Sequence, residues 1–147
     1  YLYSYKGVKL SPAPYFNLEK EANMQRTLSD LINQGVIESA HDISEGGLFI
    51  AVLESAMIRN MGFEIYSAGA ARLDSFLFGE SQGRAIVTVC QGKENEFFDM
   101  LNIAGVNCCA VGNVRDDEEI IVDEEVFGKI SKYKQMYDNT IGDVLDK

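Results

Sequence analysis

"AHDISEGGLFIAVLESAMIRNMG", residues 40–62, passes from a polar approach through a Ser-Glu-Gly-Gly turn into an apolar run. From Gly47 to Met61 the apolar residues Leu48, Ile50, Ala51, Leu53, Met57, Ile58 and Met61 follow helical spacing, and Gly62 supplies a stop. Just upstream, "VIESAHDI" (residues 36–43) alternates imperfectly and carries the β-branched Val36, Ile37 and Ile43, which predicts a strand. A strand feeding a helix through this turn leaves the opening amide N–H groups of the helix without intrahelical partners.

The remaining elements follow outward from that junction. Before it, the prolines of "SPAP" (residues 11–14) favour extended backbone, Asn17 can cap a helix with apolar positions Leu18, Ala22, Leu28, Leu31 and Ile32, and Gly35 ends that helix. After it, "FEIY" (63–66) and "RAIVTVC" (84–90) read as strands, 94–104 as a helix closed by Gly105, and "VNCCAVGNV" (106–114) as a further strand. The acidic run 116–119 is a solvated turn before "EIIV", and an amphipathic segment over 124–137 closes the pattern. The order strand, helix, strand, strand, helix, strand predicts an α+β fold: a mixed sheet with a split βαβ, ferredoxin-like core and flanking terminal helices. One face of such a sheet needs terminal helices or a partner to cover it, so self-association of this domain is expected.

At 147 residues the chain suits a single domain, 1–147, that folds without disulfides or a structural metal. Thirteen Lys and Arg against 23 Asp and Glu give a formal charge of −10 without a basic cluster, which argues against nucleic acid as a partner. The three cysteines are read as reduced, with neighbours Cys108 and Cys109 on opposite faces of a strand. No apolar run is long enough to span a membrane and no signal-peptide layout is present, so a cytoplasmic location is expected. The opening "YLYSYKGVKL" lacks an initiator Met and alternates as if in mid-structure, which suggests a domain excised from a longer polypeptide.

The chemistry concentrates in "HDISEGGL". Gly46 and Gly47 remove side chains that would keep a phosphate from the turn amides, Ser44 offers a hydroxyl, and Asp42 at the strand end suits a hard cation such as Mg²⁺. The same residues also suit purely structural work, with Ser44 or Asp42 as helix cap and the glycines in a tight turn. His41, the single histidine, is compatible with a packed or hydrogen-bonded role. A second cluster, "LFGESQGR" (77–84), sets Glu80, Ser81 and Arg84 before a strand, where Arg84 can hold an anion or lie in an exposed loop. No zinc pattern, Ser-His-Asp set or P-loop is present, and no catalytic residue is assigned.

"SAHDISEGGLFIAVLESAM" followed by "LFGESQGRAIVTV", with flanking "NLEKEANMQRTLSDLINQGVIES" and "VGNV", resembles the second carboxy-terminal domain of the phosphoribosylformylglycinamidine synthases. The wider family includes aminoimidazole ribonucleotide synthetase, so the resemblance implies that enzyme's C-terminal-domain fold. It also implies a ligase of purine biosynthesis that uses ATP and glutamine-derived ammonia to convert a formyl amide to an amidine, through phosphorylation of the amide oxygen and attack by ammonia. In the family motif "HDxSxGG" the aspartate is associated with magnesium-bound nucleotide and the serine with its phosphates. Those positions are Asp42 and Ser44 here, with Gly46 and Gly47 completing the turn and Glu45 standing where Asp is frequent. The implied partners are the remaining domains of the same enzyme, a glutaminase domain or subunit and the ribonucleotide substrate, without which this domain is inactive. The competing expectations are a free-standing ferredoxin-like module that binds a small regulatory ligand and, with fewer supporting ligands, a metal-dependent hydrolase built on His41 and Asp42.

Overall fold

The computed structural model describes residues 3–10, 13, 15–67, 69 and 72–145; Ser11, Pro12 and Pro14 of the "SPAP" stretch lie outside them. The chain divides into two compact units, Tyr1–Ala51 with Leu77–Cys109, and Val52–Phe76 with Ala110–Lys147.

In the first unit, helix α1 (Leu18–Asn33) starts where the Asn17 side chain accepts a hydrogen bond from Lys20 N at 2.9 Å. It ends on Gly35 (φ +62°), where Val36 N donates to Leu31 O and Gly35 N to Ile32 O, the paired bonds of a Schellman cap. That cap packs Val36 beside Leu31 as the chain enters strand β1 (Ile37–Asp42). Helix α2 (Gly47–Met57) follows, beginning in this unit and ending in the other. Strand β3 (Ala85–Val89) pairs antiparallel with β1, Ile37 opposite Val89 and Asp42 opposite Ala85, across a bulge between Ile37 and Ser39. Helix α4 (Glu94–Ala104) closes on Gly105 as the sequence predicts, and Asn23 Nδ2 of α1 donates to its Ala104 carbonyl at 2.6 Å. Leu31, Val36, Ile37, Phe97 and Leu101 form the buried cluster, lined by Leu28, Val87, Val89, Met100 and Val106. Their near-complete removal from water is the main force holding these elements together.

In the second unit, strand β2 (Gly62–Ile65) runs between β4 (Gly112–Arg115), antiparallel, and β5 (Glu119–Val122), parallel. Strand β6 (Glu125–Lys129) hairpins onto β5 and leads into helix α5 (Ile130–Leu145). Phe63, Ile65, Ile120, Val122 and Ile130 are buried, while β4 lies at one edge and β6 at the other. The short helix α3 (Leu73–Phe78) bridges the residue ranges of the two units.

The α+β class and the mixed sheet hold. The strands, however, are divided between a two-stranded sheet, β1-β3, and a four-stranded sheet, β4-β2-β5-β6, in place of one continuous split βαβ sheet. Two further readings are corrected. The left-handed residue after α2 is Asn60 (φ +54°), with Met61 N donating to Ala56 O, so Gly62 is not the helix stop but the start of β2. Residues 106–111 form no strand, so Cys108 and Cys109, both exposed free thiols, do not sit on opposite faces of one.

Candidate functional site

Strand β1 carries His41 and Asp42 to its carboxyl end. The Asp42 side chain is 81% exposed and that of His41 31%. His41 Nδ1 lies 2.7 Å from the Asp42 carbonyl oxygen and 3.7 Å from its carboxylate, so this nitrogen donates to the carbonyl and the ring rests along its own strand. Ile43 N then donates to Arg84 O at 3.0 Å, extending the β1-β3 pairing to the edge of the turn.

The turn is closed by main chain: the Ser44 carbonyl accepts from Gly47 N at 3.2 Å. Gly46 (φ +81°) and Gly47 (φ +71°) both occupy the left-handed region, where an L side chain is strained. Gly47 is also wedged against the second motif, since a Cβ there would lie 2.7 Å from Phe78 Cα and carbonyl carbon and 2.8 Å from Gly79 O. The rings of Phe49 and Phe78 meet beside this contact, centroids 5.8 Å apart and tilted by 59°. Close backbone approach is therefore one reason for glycine at this position, alongside any ligand.

The structure brings "HDISEGG" and "GESQGR" together. Gly46 N donates to Glu80 Oε1 at 2.9 Å. Arg84 Nε donates to Ser81 O at 3.2 Å and its Nη2 to Gly79 O, so the guanidinium binds carbonyls of its own loop on either side of Glu80. Burial pushes the Arg84 guanidinium below its ordinary value. Sequence reasoning singled out Glu80 and Arg84 without a partner for either; the pairing with Gly46 spans 34 residues and leaves no trace in local spacing. Asp42 and Ser44 are exposed at the same end of the turn. Among the described residues no three His, Cys, Asp or Glu side chains converge as a closed metal site.

An α+β chain with an acidic strand end, a two-glycine turn and a helix behind it defines a module of the strand, turn, helix kind. Residues 6–124 match the family model described as AIR synthase related protein, C-terminal domain, and the chain belongs to that family. A relative from Caldanaerobacter subterraneus subsp. tengcongensis, phosphoribosylformylglycinamidine synthase subunit PurL, is 38% identical over 117 residues, 80% of this chain and 16% of the relative. Among solved structures, T. maritima PurL complexed with FGAR superposes with a TM-score of 0.69 at 18% identity, covering 88% of this chain and 23% of that one. T. maritima PurL complexed with ATP gives 0.62 at 18% identity, over 74% of this chain and 20% of that one. The chain thus spans about a fifth or less of the curated relatives it matches.

Proposed function

We propose that this chain is the second AIR-synthase-like C-terminal domain of a phosphoribosylformylglycinamidine synthase, an ATP-dependent ligase of purine biosynthesis. The observation that carries the reading is the strand, Gly-Gly turn and helix over 37–57 in a chain whose relatives bear that enzyme's name. In this reading the Ser44 hydroxyl and the Gly46 amide, once it leaves Glu80, face nucleotide phosphate, Gly47 holds the turn open to it through its own bond to Ser44 O, and Asp42 contributes one carboxylate to Mg²⁺. The residues suit that ion: an exposed carboxylate is a hard oxygen donor, and Mg²⁺ in nucleotide sites takes only one or two carboxylates beside phosphate and water. When bound, the ion would screen phosphate charge beside an already acidic chain.

The chain supplies one wall of the site and no catalytic residue, and it is inactive alone. The remaining domains of the same polypeptide, a glutaminase domain or subunit delivering ammonia, and the ribonucleotide substrate complete the enzyme in the cytoplasm. Supporting a non-membrane setting, no helix among the described residues is long and apolar enough to cross a membrane.

The test uses the full-length enzyme. Asp42→Asn keeps a hydrogen-bonding side chain but removes the charge, so affinity for ADP with Mg²⁺ should fall about tenfold while the fold persists. Thermal unfolding with and without nucleotide reads this directly, because bound ligand raises the melting temperature only where the site survives. Unchanged nucleotide stabilisation in Asp42→Asn, together with loss of unliganded stability in Ser44→Ala, would assign these residues to helix capping and sink the site.

A further inference from the structure

The Gly46 amide is already occupied by an anionic oxygen, the Glu80 carboxylate at 2.9 Å. That bond is not needed to seat the turn. Gly47 is locked against the Phe78 and Gly79 backbone, Ser44 O closes the turn, and Ile43 N is tied to Arg84 O. Glu80 itself is exposed, so its contact with the amide lies in water, where it adds little to stability. What is built is the presentation of the carboxylate: the partly buried Arg84 binds the carbonyls of Gly79 and Ser81, the two neighbours of Glu80.

From this we infer that Glu80 is a specificity-determining residue, an internal anion that a ligand phosphate must displace from Gly46 and that selects for phosphate arriving with its own divalent cation. The inference rests on the proposed site at 44–47 and adds a residue to it. A bare phosphate approaching the turn meets acidic side chains on and beside it, Asp42, Glu45 and Glu80, the last of them on the donor it needs. A cation-bearing phosphate is repelled less, and its cation attracts the displaced carboxylate.

The experiment is ADP titration of the full-length enzyme, with and without Mg²⁺, for wild type, Glu80→Gln, Glu80→Ala and Ser44→Ala. In the absence of Mg²⁺, Glu80→Gln and Glu80→Ala should each bind ADP about fivefold more tightly than wild type, and the gap should narrow as salt is raised. With Mg²⁺ present the gap should shrink as well. Unchanged or weaker metal-free binding in Glu80→Gln overturns the inference. Weaker binding in Glu80→Ala rescued by Glu80→Gln also overturns it, and would make Glu80 a support of the turn instead. Ser44→Ala tells which reading has failed: if it weakens ADP binding while the Glu80 variants do not tighten it, the turn contacts phosphate and only the role of Glu80 is lost.

Discussion

Gly47 is the residue on which the candidate site turns. Replacing it with alanine incurs two penalties at once, a left-handed backbone and a methyl group driven into the Phe78 and Gly79 main chain, which cannot swing aside. Gly47→Ala should therefore cost on the order of 3 kcal/mol in urea unfolding. Gly46→Ala carries the same backbone penalty and sets its methyl 2.5 Å from Ile50 Cγ1 and 2.8 Å from Ile50 Cβ, which is fixed to the α2 backbone, so a loss of similar size is expected. A loss below about 1 kcal/mol in Gly47→Ala would show that the seat against Phe78 is not what fixes the turn. The paired glycines were legible in the sequence because few other arrangements explain them. The seat was not, since Phe78 and Gly79 announce nothing about which turn they receive.

Among the elements, the β5-β6 hairpin shows where local patterning fails. Its two linking residues, Asp123 and Glu124, have φ of +48° and +72°, positive at both as a type I′ turn requires, and while aspartate suits the first place, Glu124 stands where the glycine that advertises such a turn is expected. Without that signal, the segment from Glu124 onward reads as part of an amphipathic helix, and β6 is missed. Asp123 compensates through its side chain, which accepts from Ser67 N at 2.8 Å; hydrogen bonding to Ser67 holds its carboxyl below the usual carboxylate range. Glu124 has no comparable hydrogen bond, so Glu124→Gly should relieve the backbone and stabilise the protein by about 1 kcal/mol in chemical denaturation. A destabilised variant would mean that the Glu124 side chain makes an unrecognised contribution. By contrast α1 and α4 were legible almost to the residue, because Asn17, Gly35 and Gly105 mark their ends by mechanisms that act within a few residues.

On the scale of the whole molecule, the α+β class followed from the order of elements. The division into two sheets did not, because strand pairing depends on contacts far apart in sequence. Helix α5 exposes Tyr137, Ile141 and Leu145, four residues apart and 62%, 73% and 77% accessible, an apolar stripe in contact with water. The isolated chain should therefore associate, more so at high salt, where screening weakens the repulsion arising from its −10 charge. Light scattering that finds only monomer across a wide concentration and salt range would contradict this. The discontinuity of the first unit also bears on the time at which the candidate site comes into being. Ile37 must find Val89, and Gly47 must find Phe78, while the intervening Val52–Phe76 joins the other unit. Helix α2 draws its backbone hydrogen bonds only from its own 11 residues, but the turn in front of it stays unseated until a long loop closes. The nascent chain thus carries the motif well before it carries the shape, and the seated turn exists only once that loop has closed.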